Sequence, residues 1–142
     1  MSSRILSLDV GTKRIGVAIS DELGWTAQPL TVIKRKNDEH ALRRIKEIVE
    51  ENKVSKIVVG LPLTLRGEIG KSAQMVLTFV EKLKEQLSID ITTWDESFST
   101  SQAEDVLIQA DVSRLKRKKV IDKVAAALIL DSFLKAQSEN KA

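Results

Sequence analysis

The first twenty residues constrain the fold of this chain more than any other stretch. Two short runs of mainly β-branched and aliphatic residues, 5–10 and 15–20, flank the turn-forming segment Gly11-Thr12-Lys13-Arg14. This pattern predicts a β-hairpin. Asp9 lies at the end of the first run, where a carboxylate is costly to bury unless it caps the turn or meets a metal or another cation. From this stretch alone, Asp9 is either a turn cap or part of a functional site.

The rest of the chain alternates between helix-like and strand-like patterns. Further strands are predicted over 30–33, 56–60 and 89–96, and helices over 38–51, 73–87, about 103–110 and 120–134, the last one preceded by a basic loop. Short links make the first three strands an antiparallel meander, and each later strand follows a helix and is expected to run parallel to the first. The sequence therefore predicts an α/β fold, with a mixed five-stranded sheet and helices on both faces. We expect a single domain over 1–137 and a frayed tail over 138–142.

Composition excludes several classes of protein. The 142 residues include no cysteine, which rules out disulfides and Cys-ligated zinc, and the lone histidine, His40, cannot complete a Ser-His-Asp triad. The sequence contains no run of eighteen apolar residues, so no membrane-spanning helix is predicted, and the N-terminus does not resemble a secretory signal. We therefore expect a cytoplasmic protein that does not contact a membrane.

Carboxylates stand where two of the predicted parallel strands end. Asp9 ends the first run, and Asp95 and Glu96 end the last one. Ligands of such sheets gather beyond the carboxyl ends of the parallel strands, so these side chains are expected to converge. Because side chains alternate along a strand, only one of Asp95 and Glu96 can share a face with Asp9, and the pattern alone does not say which.

A third acidic element is Asp122, within the last predicted helix. Ala125, Ala126 and Ile129 follow it at i+3, i+4 and i+7, which places Asp122 on the face that packs against the sheet. Carboxylates from three separate elements suit Mg²⁺ or Mn²⁺, and two such ions support hydrolysis of phosphodiester bonds. The sequence therefore predicts a metal site drawn from Asp9, Asp95, Glu96 and Asp122, with Asp95 and Glu96 as alternatives.

Several cations flank this predicted site. Five of them fall within six residues next to Asp122, on a chain whose formal net charge is only +3. Basic side chains of this kind bind phosphates without reading sequence. The predicted nucleic-acid contacts are Lys13, Arg14, Arg66, Lys71, Arg114, Lys116, Arg117, Lys118 and Lys119.

Four motifs together resemble those of the YqgF family, the Holliday-junction-resolvase-like proteins also described as pre-16S rRNA nucleases. They are the segments 8–18, 58–62, 94–100 and 121–130, and their order along the chain matches that of the family. The resemblance implies a ribonuclease H-like fold, with Asp9, Glu96 and Asp122 as the acidic triad of a metal-dependent nuclease. It also implies a bacterial cytoplasmic protein that matures the 5′ end of small-subunit ribosomal RNA. Ser97 departs from the family pattern, which usually has Arg there, and this leaves the orientation of the substrate to other cations.

The sequence leaves other functions open. One is a Holliday-junction-resolving endodeoxyribonuclease, which would need two active sites in a symmetric dimer. Another is a non-catalytic nucleic-acid-binding factor in transcription or ribosome assembly, and a sugar-kinase-like or actin-like phosphate binder ranks last. RNA is the favoured partner, with branched DNA and ribosomal precursor particles as further candidates, and the protein is expected to be a monomer or a homodimer.

Overall fold

The computed structural model describes residues 4–63, 67–95 and 114–140, and in the last helix it describes the side chains of 123–137. Five strands and three helices follow one another along this part of the chain. They are β1 (Ile5–Val10), β2 (Arg14–Ser20), β3 (Ala27–Lys34), α1 (Asp38–Asn52), β4 (Lys56–Leu61), α2 (Lys71–Gln86), β5 (Asp90–Asp95) and α3 (Arg114–Asn140). The short helix predicted around 103–110 lies outside the described residues.

The strands form one mixed sheet in the order β3-β2-β1-β4-β5. β1 pairs antiparallel with β2, and β2 pairs antiparallel with β3. β4 is parallel to β1, and β5 is parallel to β4. The predicted meander with added parallel strands is confirmed. The carboxyl ends of β1, β3, β4 and β5 therefore share one edge of the sheet, which we call the upper edge.

Side-chain alternation along β1 separates two hydrophobic layers. Leu6, Leu8 and Val10 belong to the core beneath α1 and α2. Ile5 belongs to a second cluster, and it packs there with the apolar face of α3. Because alternate residues of a strand point to the same side, Ser7 and Asp9 share the α3 face with Ile5. Helices thus cover both faces of the sheet, as predicted.

Two predictions about the last helix are wrong. It begins at Arg114, not at Val120, so the basic segment is helical and not a loop. Lys, Arg and Leu are good helix formers, and repulsion between like charges one turn apart costs only a few tenths of a kcal/mol. The helix also continues to Asn140, beyond the predicted end at Leu134. Within this extension Lys135 forms an i,i+4 ion pair with Asp131 at 3.0 Å. No helix of the described part is long and apolar enough to cross a membrane.

Candidate active site at the upper edge of the sheet

Asp9 lies next to the end of β1, half-buried and opposite Gly16 of β2. It is therefore at the upper edge and on the face that α3 covers. A glycine directly opposite contributes no side chain to this face, so the space beside the Asp9 carboxylate is left to other groups. This placement agrees with the predicted position of Asp9 at the carboxyl end of a strand.

The end of β5 distinguishes the two neighbouring acidic residues. Ile91 packs in the α1/α2 layer, whereas the Trp94 ring packs on Phe133 of α3 with centroids 5.4 Å apart. The Trp94 indole N–H also donates to the Ser132 hydroxyl at 3.1 Å. Alternation therefore assigns Asp95, which is exposed, to the face opposite Asp9. Glu96 lies outside the described residues.

Helix α3 is fixed against β1 by a buried polar contact. The Ser7 hydroxyl, fully buried, donates to the carbonyl oxygen of Ala126 at 2.6 Å. Ala125, Ala126 and Ile129 have no exposed surface, which confirms that this side of the helix packs on the sheet. The small alanine side chains permit the close approach that the hydrogen bond requires.

The direction of α3 follows from its contacts at the opposite, lower edge. A recess of about 390 Å³ there is lined by Leu23 and Trp25, from the β2–β3 connection, and by Asp131 and Leu134 of the helix. The C-terminal part of the helix therefore reaches the lower edge, and because Ser132 and Phe133 also contact Trp94 near the end of β5, the helix crosses the strands obliquely. Residue 122 lies one turn before Ala126, about 6 Å along the axis, and Asp9 lies about 7 Å beyond Ser7 along the strand. The backbone of residue 122 and Asp9 are therefore each within about 7 Å, along their own elements, of the Ser7–Ala126 contact.

The described residues contain no group of three carboxylate or histidine side chains that could hold a metal ion. Of the four predicted ligands, Glu96 and the side chain of Asp122 are not among the described atoms, and Asp9 and Asp95 occupy different faces. The described geometry thus brings together Asp9 and the backbone of α3 at residue 122.

The predicted cations are distributed around the same edge. Lys13 is exposed in the β1–β2 turn, half-buried Arg14 begins β2, and exposed Lys71 begins α2. The segment 114–119 is the first part of α3, on the side of residue 122 that leads away from Ala126. Arg66 and the side chains of Arg114, Lys116, Arg117, Lys118 and Lys119 lie outside the described atoms.

A half-buried arginine that sequence reasoning missed, Arg35, anchors the turn after Asp9. The backbone N–H of Arg35 donates to the Lys13 carbonyl at 2.9 Å, and its guanidinium donates to the Gly11 carbonyl at 2.8 Å. The same guanidinium donates to Asp38 Oδ1 at 2.9 and 3.1 Å and lies 5.0 Å from the centroid of the Phe79 ring. Arg35 therefore ties the β1–β2 turn to α1 and α2.

Asp38 completes this network. Its Oδ2 accepts a hydrogen bond from Lys82 Nζ at 2.5 Å, so two cations share one carboxylate. The hydrogen bonds from Lys82 and from Arg35 hold the pKa of Asp38 below its ordinary value of 3.8. In the sequence, Lys34-Arg35-Lys36 is typical of a solvated basic run, and only tertiary structure shows that its middle residue is sequestered.

The histidine and the two tryptophans contribute nothing to the described site. His40 is exposed on the first turn of α1, and its backbone N–H donates to the Asn37 side chain. Trp94 packs against α3, whereas Trp25 is 72% exposed at the lower edge, away from Asp9. Neither tryptophan is free to stack bases beside Asp9 in this arrangement.

Comparisons with solved structures place the fold among the ribonuclease H-like resolvases. Thermus thermophilus RuvC in complex with a Holliday junction substrate matches with a TM-score of 0.61 at 16% identity, covering 96% of each chain. The fowlpox virus Holliday junction resolvase matches with a TM-score of 0.54 at 16% identity, covering 94% of this chain and 99% of that one. The expected fold class is confirmed.

Sequence relatives are much closer. A Desulforamulus reducens protein named "Putative pre-16S rRNA nuclease" is 55% identical over 131 residues, which cover 92% of this chain and 96% of the relative. A Bacillus thuringiensis protein of the same name is 54% identical over 133 residues, covering 92% and 97%. The profile of the RuvX family, described as Holliday junction resolvase, matches residues 3–136. With this match over nearly its whole length, the chain belongs to the RuvX family and is a resolvase-like nuclease.

Proposed function

We propose that this protein is a metal-dependent nuclease that hydrolyses phosphodiester bonds at the upper edge of the sheet and processes the 5′ end of pre-16S rRNA in the bacterial cytoplasm. The observation that carries the proposal is the juxtaposition of Asp9, on the α3 face of β1, with the backbone of residue 122 in α3. The names of relatives more than 50% identical to this chain support the choice of an RNA substrate.

The donor set fits a hard divalent cation. We propose Asp9, Glu96 and Asp122 as the ligands, since all three are oxygen donors and the side chain of Asp9 is only half-buried. The period of two along β5, extended one residue beyond Asp95, favours Glu96 over Asp95, because position 96 then shares the face of Trp94. We propose that two Mg²⁺ or Mn²⁺ ions bind here. When bound, they would activate the attacking water and stabilise the leaving oxygen.

The chain's own residues would position the substrate. Lys13 and Arg14, in and after the β1–β2 turn, and the basic start of α3 are proposed to bind phosphates that flank the scissile one. Lys71, the first residue of α2, and Arg66, which falls between β4 and α2 in the sequence, are proposed to contact the nucleic acid from the β4 side. With Ser97 in place of the family's usual arginine, these cations would orient the scissile phosphate.

A Holliday-junction-resolving activity is the second candidate. It is favoured by the description of the family and by the neighbouring RuvC structure, which is a complex with a Holliday junction substrate. A resolvase would have to act as a dimer with two sites, whereas processing of an RNA end requires only one site.

The test compares cleavage of end-labelled precursor small-subunit RNA, free and in precursor particles, with cleavage of a four-way DNA junction. Each substrate is incubated with Mg²⁺, Mn²⁺ or EDTA, using wild type and Asp122→Asn. Asp131→Asn is the matched control, because it makes the same change on the same helix but at the lower edge, where Asp131 pairs with Lys135.

We expect metal-dependent cleavage of RNA that falls at least 10³-fold in Asp122→Asn and is unchanged in Asp131→Asn. Cleavage of the junction alone would assign the resolvase activity instead. If wild type binds nucleic acid but cuts neither substrate under any condition, the nuclease proposal is refuted and a non-catalytic binding factor takes its place.

A further inference from the structure

A second group of basic residues lies at the upper edge of the sheet. It is formed by the residues that connect β3 to α1. Lys34 is the last residue of β3 and lies opposite Arg14 of β2. Lys36 follows two residues later, with its backbone N–H bonded to the Lys34 carbonyl at 3.1 Å. Both lysine side chains are exposed, and within the described part of the chain neither has an ion-pair partner.

The register of the sheet places Lys34 on the same face as Asp9. Ile15 and Ile33 pack in the α1/α2 layer, so their neighbours Arg14 and Lys34 belong to the α3 face. Asp9 is opposite Gly16, two residues along β2 from Arg14. Asp9 and Lys34 are two strands apart across the sheet and two residues apart along it. Their Cα atoms are therefore separated by about 12 Å.

Arg35 holds this connection in place without contributing to its positive charge. Its side chain is only 11% exposed, and its charge is paired with Asp38, whose second oxygen binds Lys82. The two hydrogen bonds from Arg35 to the turn fix the distance between the lysines and Asp9. The nearest exposed acidic residue along the chain is Glu39, on the first turn of α1.

We propose that Lys34 and Lys36 form a second phosphate-binding surface, which continues the path of the bound nucleic acid from Asp9 across Arg14 to the β3 edge of the sheet. The proposal rests on the nuclease function proposed above. It adds the direction in which the bound nucleic acid extends away from Asp9. Bound nucleic acid would thus extend from Asp9 past Arg14 to the β3–α1 connection. Lysines bind phosphates as point charges, so this surface adds affinity without sequence preference.

The experiment measures binding of a fluorescein-labelled RNA hairpin by fluorescence anisotropy, in EDTA so that no cleavage occurs. The test variant is Lys34→Gln/Lys36→Gln. The matched control is Lys46→Gln/Lys53→Gln, which removes the same charge from exposed lysines in the middle and at the end of α1. Lys53 adjoins Ser55, which bonds to Arg4 just before β1, so it lies at the lower edge.

We expect the test variant to bind roughly tenfold more weakly, and its slope of log K against log salt, measured between about 50 and 200 mM, to be smaller by about 2. The control should bind within about twofold of wild type, because charges more than a Debye length away are largely screened. Equal affinity and slope for wild type and the test variant would overturn this inference and leave the nuclease proposal standing. Failure of wild type itself to bind RNA or branched DNA would overturn both.

Discussion

Replacement of Arg35 by methionine tests whether the anchor of the β1–β2 turn stabilises the fold. Methionine keeps most of the length and apolar character of the side chain but removes its charge and all of its donors. The variant therefore loses the hydrogen bonds to Gly11 and Asp38 and the cation–π contact with Phe79. The packing of the aliphatic portion is largely retained.

The magnitude follows from these contacts. Hydrogen bonds that involve a charged group contribute about 1.5–3 kcal/mol, and a partly desolvated cation–π contact contributes about 1 kcal/mol. The terms are not additive, and Asp38, whose side chain is 33% exposed, keeps Lys82 as a partner. We expect the free energy of unfolding to fall by about 3 kcal/mol, a large share of the roughly 5–15 kcal/mol typical of a domain.

Urea denaturation measures this change. With a slope near 1.5 kcal/mol per molar, the midpoint should fall by about 2 M. Arg43→Met is the control, since Arg43 is exposed on α1 and has no ion pair among the described residues, and its change should stay within about 0.5 kcal/mol. A loss for Arg35→Met no larger than that of the control would refute the reasoning, because it would mean that the turn is held by the strand pairing alone.

Two further predictions concern the same region. Because the pKa of Asp38 is lowered in the folded protein, its contribution to stability is full above its ordinary value of 3.8 and is lost as the pH falls through the folded pKa. Urea titrations should accordingly show a stability gap between wild type and Asp38→Asn at pH 6 that closes as the pH falls below 3.8 and through the lowered pKa of Asp38, and a gap independent of pH would contradict the assignment. Gly11→Ala should cost roughly 1–3 kcal/mol and reduce cleavage, since the added Cβ would lie 2.8 Å from the Arg14 carbonyl oxygen; unchanged stability and cleavage would show that the turn adjusts freely.

The sheet was predictable because its pattern is local. Alternation of apolar residues in β1 and β2, and the continuous apolar run of β4, identify strands by their own residues, and the lengths of the links then fix their directions. The boundaries of α3 were not predictable in this way. A run such as 114–119 satisfies helix propensity and loop polarity equally well, so its state depends on the helix that follows it.

For the candidate site, the sequence indicates residue types, whereas the geometry depends on packing. Alternation showed that Asp95 and Glu96 must face opposite sides, but only the packing of Ile91 and Trp94 shows which side each strand position takes. No sequence pattern predicts the anchoring role of Arg35, because its partners Gly11 and Phe79 lie 24 and 44 residues away along the chain. Long-range contacts of this kind are decided by the fold as a whole.

The spacing between Asp9 and residue 122 is a property of the core and not of the acidic residues themselves. Asp9 is held by β1, and α3 is held against β1 by the Ser7–Ala126 hydrogen bond and by alanines with no exposed surface. Neither constraint involves a ligand, so on the proposed function the two elements would be arranged before a metal binds, as a rigid metal site requires. The basic segment 114–119 belongs to the same continuous helix as residue 122. On the proposed function, a phosphate bound by that segment would therefore be fixed relative to the ligand set by the stiffness of a single helix.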